Sequence, residues 1–279
     1  MTAKTRVTVL VENTAGGPDV VAEHGLSYWI EPKGYHVLFD SGQGGVLAHN
    51  AYKLAVPLRE VDALVLSHGH YDHSGGVPEA LKFADSAMVH AHPAAFARKF
   101  ARNSDGTARE IGMPLASRET IRRRRGKFAA TDRPTCVLEG VIATGPVPRD
   151  TDFEDVGGPF FLDEACTTPD SLEDDQAVFF DTAEGAVVLL GCAHTGVVNT
   201  VRYIQKLTEN RPIHALIGGM HLVGASSRRI ARTIEELRQI GVKRLAPAHC
   251  TGLPATVALC NAFPLQCGPC SVATRFEFD

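Results

Sequence analysis

The sequence has no run approaching the roughly 20 apolar residues that a membrane span requires, and its opening stretch "MTAKTRVTVLVEN" has no apolar core of a secretory leader. Neither charge sign dominates: 28 Lys and Arg against 32 Asp and Glu give a net charge of -4. Whole-molecule electrostatics therefore do not announce nucleic acid or an anionic membrane. Aromatics are sparse, at 7% with a lone tryptophan, and none interleave with a basic stripe, so stacking on single-stranded bases has no visible platform. Cysteine is present seven times, an odd number, without a second CxxC beside Cys267 and Cys270. A disulfide framework is therefore not expected, and that pair, with Cys260 nearby, reads as packing more than as a zinc or redox site. These absences together point to a cytoplasmic protein.

What is present is an ordinary globular composition, 44% hydrophobic and 22% charged, in a chain long enough for a sizeable core. "RVTVLVEN" (6–13) alternates as a strand, and "GLSYWIEPKGYHVLFDSG" (25–42) reads as two strands joined at Pro32-Lys33-Gly34. "GVLAHNAYKLAV" has helical spacing; "VDALVLSH" is a continuously apolar strand of the kind buried on both faces. Strand, helix, strand, helix, strand follow over 176–252, with Gly241 placed to end the helix at 227–241. From about 93 to 150 the texture turns polar and basic, which reads as an irregular insertion on one domain spanning 1–279. The mixture of hairpins and alternating elements predicts an α/β fold of sheets packed face to face with helices outside.

One stretch stands apart. "SHGHYDHSGG" (67–76) places three histidines and an aspartate within six residues, directly after a predicted buried strand. His68 and His70 share one face of extended chain, while Asp72 and His73 lie around the turn. That arrangement suits two adjacent divalent cations better than one. Imidazole suits zinc, iron, nickel or cobalt, and carboxylate adds manganese. Asp40, His194, His221 and His249 also fall at predicted strand ends, where the ligands of α/β proteins bind. His24, His36, His49, His90, His92 and His214 belong to no motif and are expected to be structural.

"SHGHYDHSGG", preceded by a strand and by "LFDSG", resembles the HxHxDH signature of the metallo-β-lactamase superfamily, and the resemblance runs through nearly the whole chain. "GCAHTGVVN", "IGGMHL" and "AHCTG" are similar to a branch of dihydropterin-aminobenzene-ribofuranosyl-phosphate synthase-like proteins and related phosphoesterase-like hydrolases. The resemblance implies a four-layer αββα sandwich with a cation pair, zinc foremost, at one edge. It implies His68 and His70 on the first cation, Asp72 and His73 on the second, and His249 closing the second. Two departures stand out: "LEDDQAVFF" lacks the usual glycine-histidine motif, and "LLGCAH" offers Cys192 and His194 where a bridging aspartate is usual. His194 is the favoured ligand completing the first site, with Cys192 and His221 as further candidates. Asp174 and Asp175 are weaker pocket candidates, and Asp40 is expected to orient a ligand.

Paired cations bridge one water and lower its pKa toward neutrality, giving a hydroxide nucleophile. Asp72 would fix that hydroxide, and His221 would serve as general acid. The expected activity is hydrolysis of small phosphate esters or related esters. The alternatives are a pterin-pathway synthase and a metal-binding sensor without turnover. A small, anionic substrate is the expected partner, without nucleic acid or membrane. Arg122, Arg123 and His221 are the expected substrate contacts, the arginines through paired donors to phosphate. Homodimerisation through the insertion is a further expectation.

Overall fold

A computed structural model of the chain describes residues 4–82 and 84–279. The strands run in order as β1 (Thr5–Val11), β2 (Ser27–Glu31), β3 (Val37–Phe39), β4 (Ala63–Val65), β5 (Met88–Ala91), β6 (Phe100–Arg102), β7 (Ala108–Glu110) and β8 (Phe128–Ala130). They continue as β9 (Thr135–Leu138), β10 (Val141–Ala143), β11 (Phe160–Phe161), β12 (Ala177–Thr182), β13 (Gly185–Leu190), β14 (Ile213–Gly219), β15 (Arg244–Ala248) and β16 (Arg275–Phe278). The helices are α1 (Leu47–Lys53), α2 (Tyr71–Ser74), α3 (Val77–Leu81), α4 (Leu115–Arg123), α5 (Val197–Leu207), α6 (Ser227–Ile240) and α7 (Leu253–Ala262).

Among the described residues, β16-β1-β2-β3-β4-β5-β8 form one sheet and β15-β14-β13-β12-β10-β9 a second, with β11-β6-β7 as a small third. Strand alternation decides the layering. In β13, Val187 and Leu189 enter the core between the two large sheets, while Ala186, Val188 and Leu190 face the other way. That outer side is covered by Val201 and Ile204 of α5, Leu237 of α6, and Ala255 and Leu259 of α7. On the first sheet, Trp29, Leu38 and Leu64 turn outward onto Leu47 of α1 and Val77 and Leu81 of α3. Three apolar layers thus separate four layers of structure, which is the expected αββα sandwich. Among the described residues no helix is long and apolar enough to cross a membrane.

Local chemistry agrees with these boundaries. Lys33 and Gly34 both take positive φ at the β2–β3 turn. Ser226 Oγ accepts from Arg229 N to start α6, and Gly241 ends it in the left-handed region.

The segment 93–150 differs from the expected irregular insertion. β8 extends the first sheet parallel to β5, and β9 and β10 sit at the edge of the second. These strands are three or four residues long, too short for a period-two pattern to register against the surrounding charge.

Candidate metal centre

β4 delivers the chain to the cluster, and glycine lets it turn there. A Cβ on Gly69, between His68 and His70, would collide with the backbone of Ala95. Gly76 is pressed likewise against Ser41 O. Asp174 Oδ2 accepts from Gly69 N at 2.7 Å, and Lys99 Nζ donates to Asp174 and Asp170 at 2.8 Å each. A buried ammonium between two carboxylates therefore braces the histidine turn from below. Asp174 supports the pocket but does not line it.

The hydrogen bonds fix which ring nitrogen of each histidine faces the centre. Ser67 Oγ donates to Asp40 Oδ2 at 2.7 Å, so it accepts from His68 Nδ1 at 2.8 Å. His73 Nδ1 donates to Asp40 Oδ2 at 2.7 Å, His194 Nδ1 to Val156 O at 2.9 Å, and His249 Nδ1 to Asn13 Oδ1 at 2.9 Å. Each acceptor holds the proton on Nδ1 and turns Nε2 inward, as the outer partners of ligating imidazoles do. Asp40 thus takes the orienting place expected of it.

The inward atoms converge. His73 Nε2 lies 3.2 Å from His249 Nε2 and 3.1 Å from Cys192 Sγ; Asp72 Oδ2 lies 3.3 Å from His249 Nε2 and 3.8 Å from His73 Nε2. Donors held 2.0–2.2 Å from one cation stand about 3.0–3.5 Å from each other, so most of this spacing matches a ligand shell. Two imidazole nitrogens facing each other at 3.2 Å suit a shared proton or a cation between them. Cys192 also joins His68 and His194 in a second group whose donor atoms all lie within 4.8 Å. His70 adjoins that group, its ring centroid 4.5 Å from His68 and 5.0 Å from His194. Nε2 of His68, His70 and His194 is buried and has no hydrogen-bond partner among the described residues.

Electrostatics divide the groups in the same way. Burial, reinforced by the neighbouring imidazoles, holds His68 and His194 well below the usual histidine range, and burial brings His70 down to about 3. They are neutral donors. Burial would raise Asp72, but His73, His24 and His249 hold it well below the usual carboxylate range. Burial would lower His73, yet Asp40 and Asp72 lift it to about 9. The surroundings of His73 therefore favour positive charge, which a divalent cation supplies in place of the proton.

The second sheet contributes its donors at the exits of β13, β14 and β15. Ala193, His221 and His249 all take positive φ there, at 52°, 43° and 49°, as Asp40 does after β3 at 59°. Such backbone is sparsely populated outside glycine and clusters at functional sites. His221 stands beside His194, ring centroids 4.1 Å apart, and Nδ1 of His221 is buried without a partner among the described residues. Gly157 makes room for that ring: a Cβ there would collide with His221 Cδ2. The loop carrying Gly157 is tied down by Glu154, which accepts from Val198 N and Asn199 N at 2.9 Å, and by the Asp155–Arg229 pair.

His68, His70, Asp72, His73, Cys192, His194, His221 and His249 are thus brought together. Arg122 and Arg123 are not. Both are exposed on α4, where Arg123 pairs with Glu119, and neither lines the cavity over the centre. A basic run on a short helix projects into solvent, so local charge density was a poor guide to the pocket. The cavity, about 1140 Å³, has Arg109 as its cationic side chain. Asp175 Oδ2 accepts from Thr195 N at 2.8 Å, and its Oδ1 is buried without a hydrogen-bond partner among the described residues. His24, expected to be structural, instead places Nε2 3.2 Å from Asp72 Oδ2. Asn13 Nδ2 faces its Nδ1 at 3.4 Å, so Nε2–H donates to the carboxylate. His24 lies between strands with no motif around it, and only the fold brings it to Asp72.

The family model for the metallo-beta-lactamase superfamily matches residues 20–249. The chain is 29% identical to a Methanocaldococcus jannaschii protein named 7,8-dihydropterin-6-methyl-4-(beta-D-ribofuranosyl)-aminobenzene-5'-phosphate synthase, over 90% of this chain and 88% of that one. It is 32% identical to the uncharacterised protein MJ0448 of the same organism, over 91% and 93% of the two chains. It superposes with a TM-score of 0.83 on the crystal structure of Tm1679, a metal-dependent hydrolase of the beta-lactamase superfamily, at 28% identity over 99% of this chain and 100% of that one.

Proposed function

The chain belongs to the metallo-beta-lactamase superfamily, and from that premise we propose that it is a hydrolase of small phosphate esters or related esters working with two divalent cations. The observation that carries this reading is the convergence of inward Nε2 atoms on Cys192 and Asp72. His68, His70 and His194 would hold one cation, Asp72, His73 and His249 the other, and Cys192 lies within reach of both. The imidazole-rich set with a thiolate favours zinc. When bound, the cation pair supplies an acidified water and polarises the ester oxygen.

The residues of the chain do the rest. Asp40, Ser67, Val156 and Asn13 keep four imidazoles in the tautomer that faces the centre. His24 holds Asp72 in place. Phe160, with its ring 5.3–5.9 Å from those of His70, His194 and His221, shields the centre from bulk water. His221 lines the cavity beside His194 and is assigned the proton delivered to the leaving group.

A second reading is a synthase of the kind named for the M. jannaschii relative. It is favoured by that identity and by a cavity large enough for two co-substrates. The test is turnover of bis(p-nitrophenyl) phosphate by protein reconstituted with zinc, abolished by a chelator and restored by the metal. Asp72→Ala should lower metal content and turnover together. Full metal content with no turnover across phosphoesters, carboxylic esters and lactones would remove the hydrolase reading and leave the synthase or a non-catalytic sensor.

A further inference from the structure

The small third sheet does more than cover the site. Phe160 on β11 is paired with Ala101 on β6, and Ala101 is paired with Arg109 on β7. Directly opposed residues of neighbouring antiparallel strands present their side chains on the same face. Phe160, Ala101 and Arg109 therefore form one row across the sheet, with the smallest side chain in the middle. The opposite face holds the other set: Arg98 stacks over Phe100 and pairs with Glu110, while Arg102 stacks over Phe161. Phe160 and Arg109 both line the cavity.

The two ends of the row differ in chemistry. Phe160 lies against the imidazoles of the centre. Arg109 is exposed, its guanidinium 5.6 Å from the Tyr71 ring, with Nη1 donating to Tyr71 Oη at 3.5 Å. Among the described residues, no carboxylate is paired with Arg109, since the adjacent Glu110 is engaged by Arg98 on the far face. An unpaired guanidinium at the rim of a cavity whose inner end is aromatic has a fork of donors for an oxyanion. Two interstrand spacings set the rise from Phe160 to Arg109 at about 10 Å.

We propose that the β11-β6-β7 sheet is a substrate clamp for a small aromatic oxyanion, whose ring packs on Phe160 beside the centre and whose phosphate or carboxylate is gripped by Arg109 about 10 Å away. The clamp deepens the hydrolase reading, since it assumes that the cavity over the cation centre is the substrate site. It assigns selectivity to a sheet that carries none of the centre's donors.

The test is isothermal titration calorimetry on the zinc-reconstituted full chain with four probes: 4-phenylbutyl phosphate, 5-phenylpentanoate, 4-phenylbutan-1-ol and n-butyl phosphate. Both aryl anions should bind more tightly than the alcohol, and their ranking identifies the preferred oxyanion. Arg109→Gln should weaken the aryl anions about tenfold and leave the alcohol unchanged, with partial recovery in Arg109→Lys. Phe160→Ala should weaken every aryl probe and leave n-butyl phosphate unchanged; Phe160→Leu, which removes the aromatic face but keeps apolar bulk, should weaken the aryl probes less and serves if the alanine variant is unstable. Wild-type affinity of Arg109→Gln for 4-phenylbutyl phosphate, or equal binding of anion and alcohol by the unmodified protein, would overturn the clamp. Turnover of bis(p-nitrophenyl) phosphate by the same preparation is scored separately, so loss of the hydrolase reading and loss of the clamp are told apart.

Discussion

Asp40 and His73 are joined by a 2.7 Å hydrogen bond across 33 residues of sequence, with both side chains fully buried. The bond links the end of β3 to the helical turn after β4, and the same carboxylate also accepts from Ser67 N and Oγ. One acid therefore sets the orientation of two imidazoles, His73 directly and His68 through Ser67.

Asp40→Asn should accordingly weaken zinc affinity by about 10–100-fold, the usual effect of losing an outer partner of a ligating histidine. Competition against a chromophoric chelator measures it. Unchanged affinity would show that the tautomers are set by something other than Asp40.

Lys99→Met should cost about 3–5 kcal/mol in stability, because Asp170 and Asp174 would be left buried without their cation. Burial alone would lower the lysine's pKa, but Asp174 and Asp170 raise it above 10.5. A folded-state value raised above the unfolded one gives stabilisation that is full below the unfolded value and fades as pH rises through the folded one. Urea unfolding of the unmodified protein should therefore weaken on the alkaline side of pH 10.5, and the variant should lack that limb.

Cys192→Ala should reduce binding of both cations, since its sulfur belongs to the His68–His194 group and also to the His73–His249 group. In cobalt-substituted protein a thiolate-to-metal charge-transfer band should be present, and the alanine variant should lose it. A band that survives in the variant would assign the thiolate to Cys250, whose sulfur lies in one donor group with Cys192 and His221.

Gly157→Ala should lower turnover at least tenfold with metal content unchanged. The residue has φ +83°, and an added methyl would push directly on the His221 ring. Equal loss of metal would show that His221 acts as a ligand.

The parts legible in sequence were those whose signal is local. His68 to His73 announce themselves by crowding, and β12 through β15 by alternating apolar runs. Asp40 stood out because it ends a strand. What escaped depends on distance in sequence. Lys99 belongs to a basic stretch but is only 1% exposed, held by two aspartates more than 70 residues away. His24 reaches Asp72 across the sheet. Arg109 is one arginine among many, and register across β11, β6 and β7 singles it out, whereas the denser run at Arg122 and Arg123 faces water.

The donors come from both large sheets: those of the first half from the turn after β4, those of the second from the exits of β13 and β15. A cation held between them adds a rivet to two halves of the polypeptide that otherwise meet through an apolar seam and a few buried polar ties, Lys99 with Asp170 and Asp174 among them. Stripping the metal should thus do more than silence the chemistry. It should let the halves part sooner under heat, making thermal endurance a gauge of how well the ion is held.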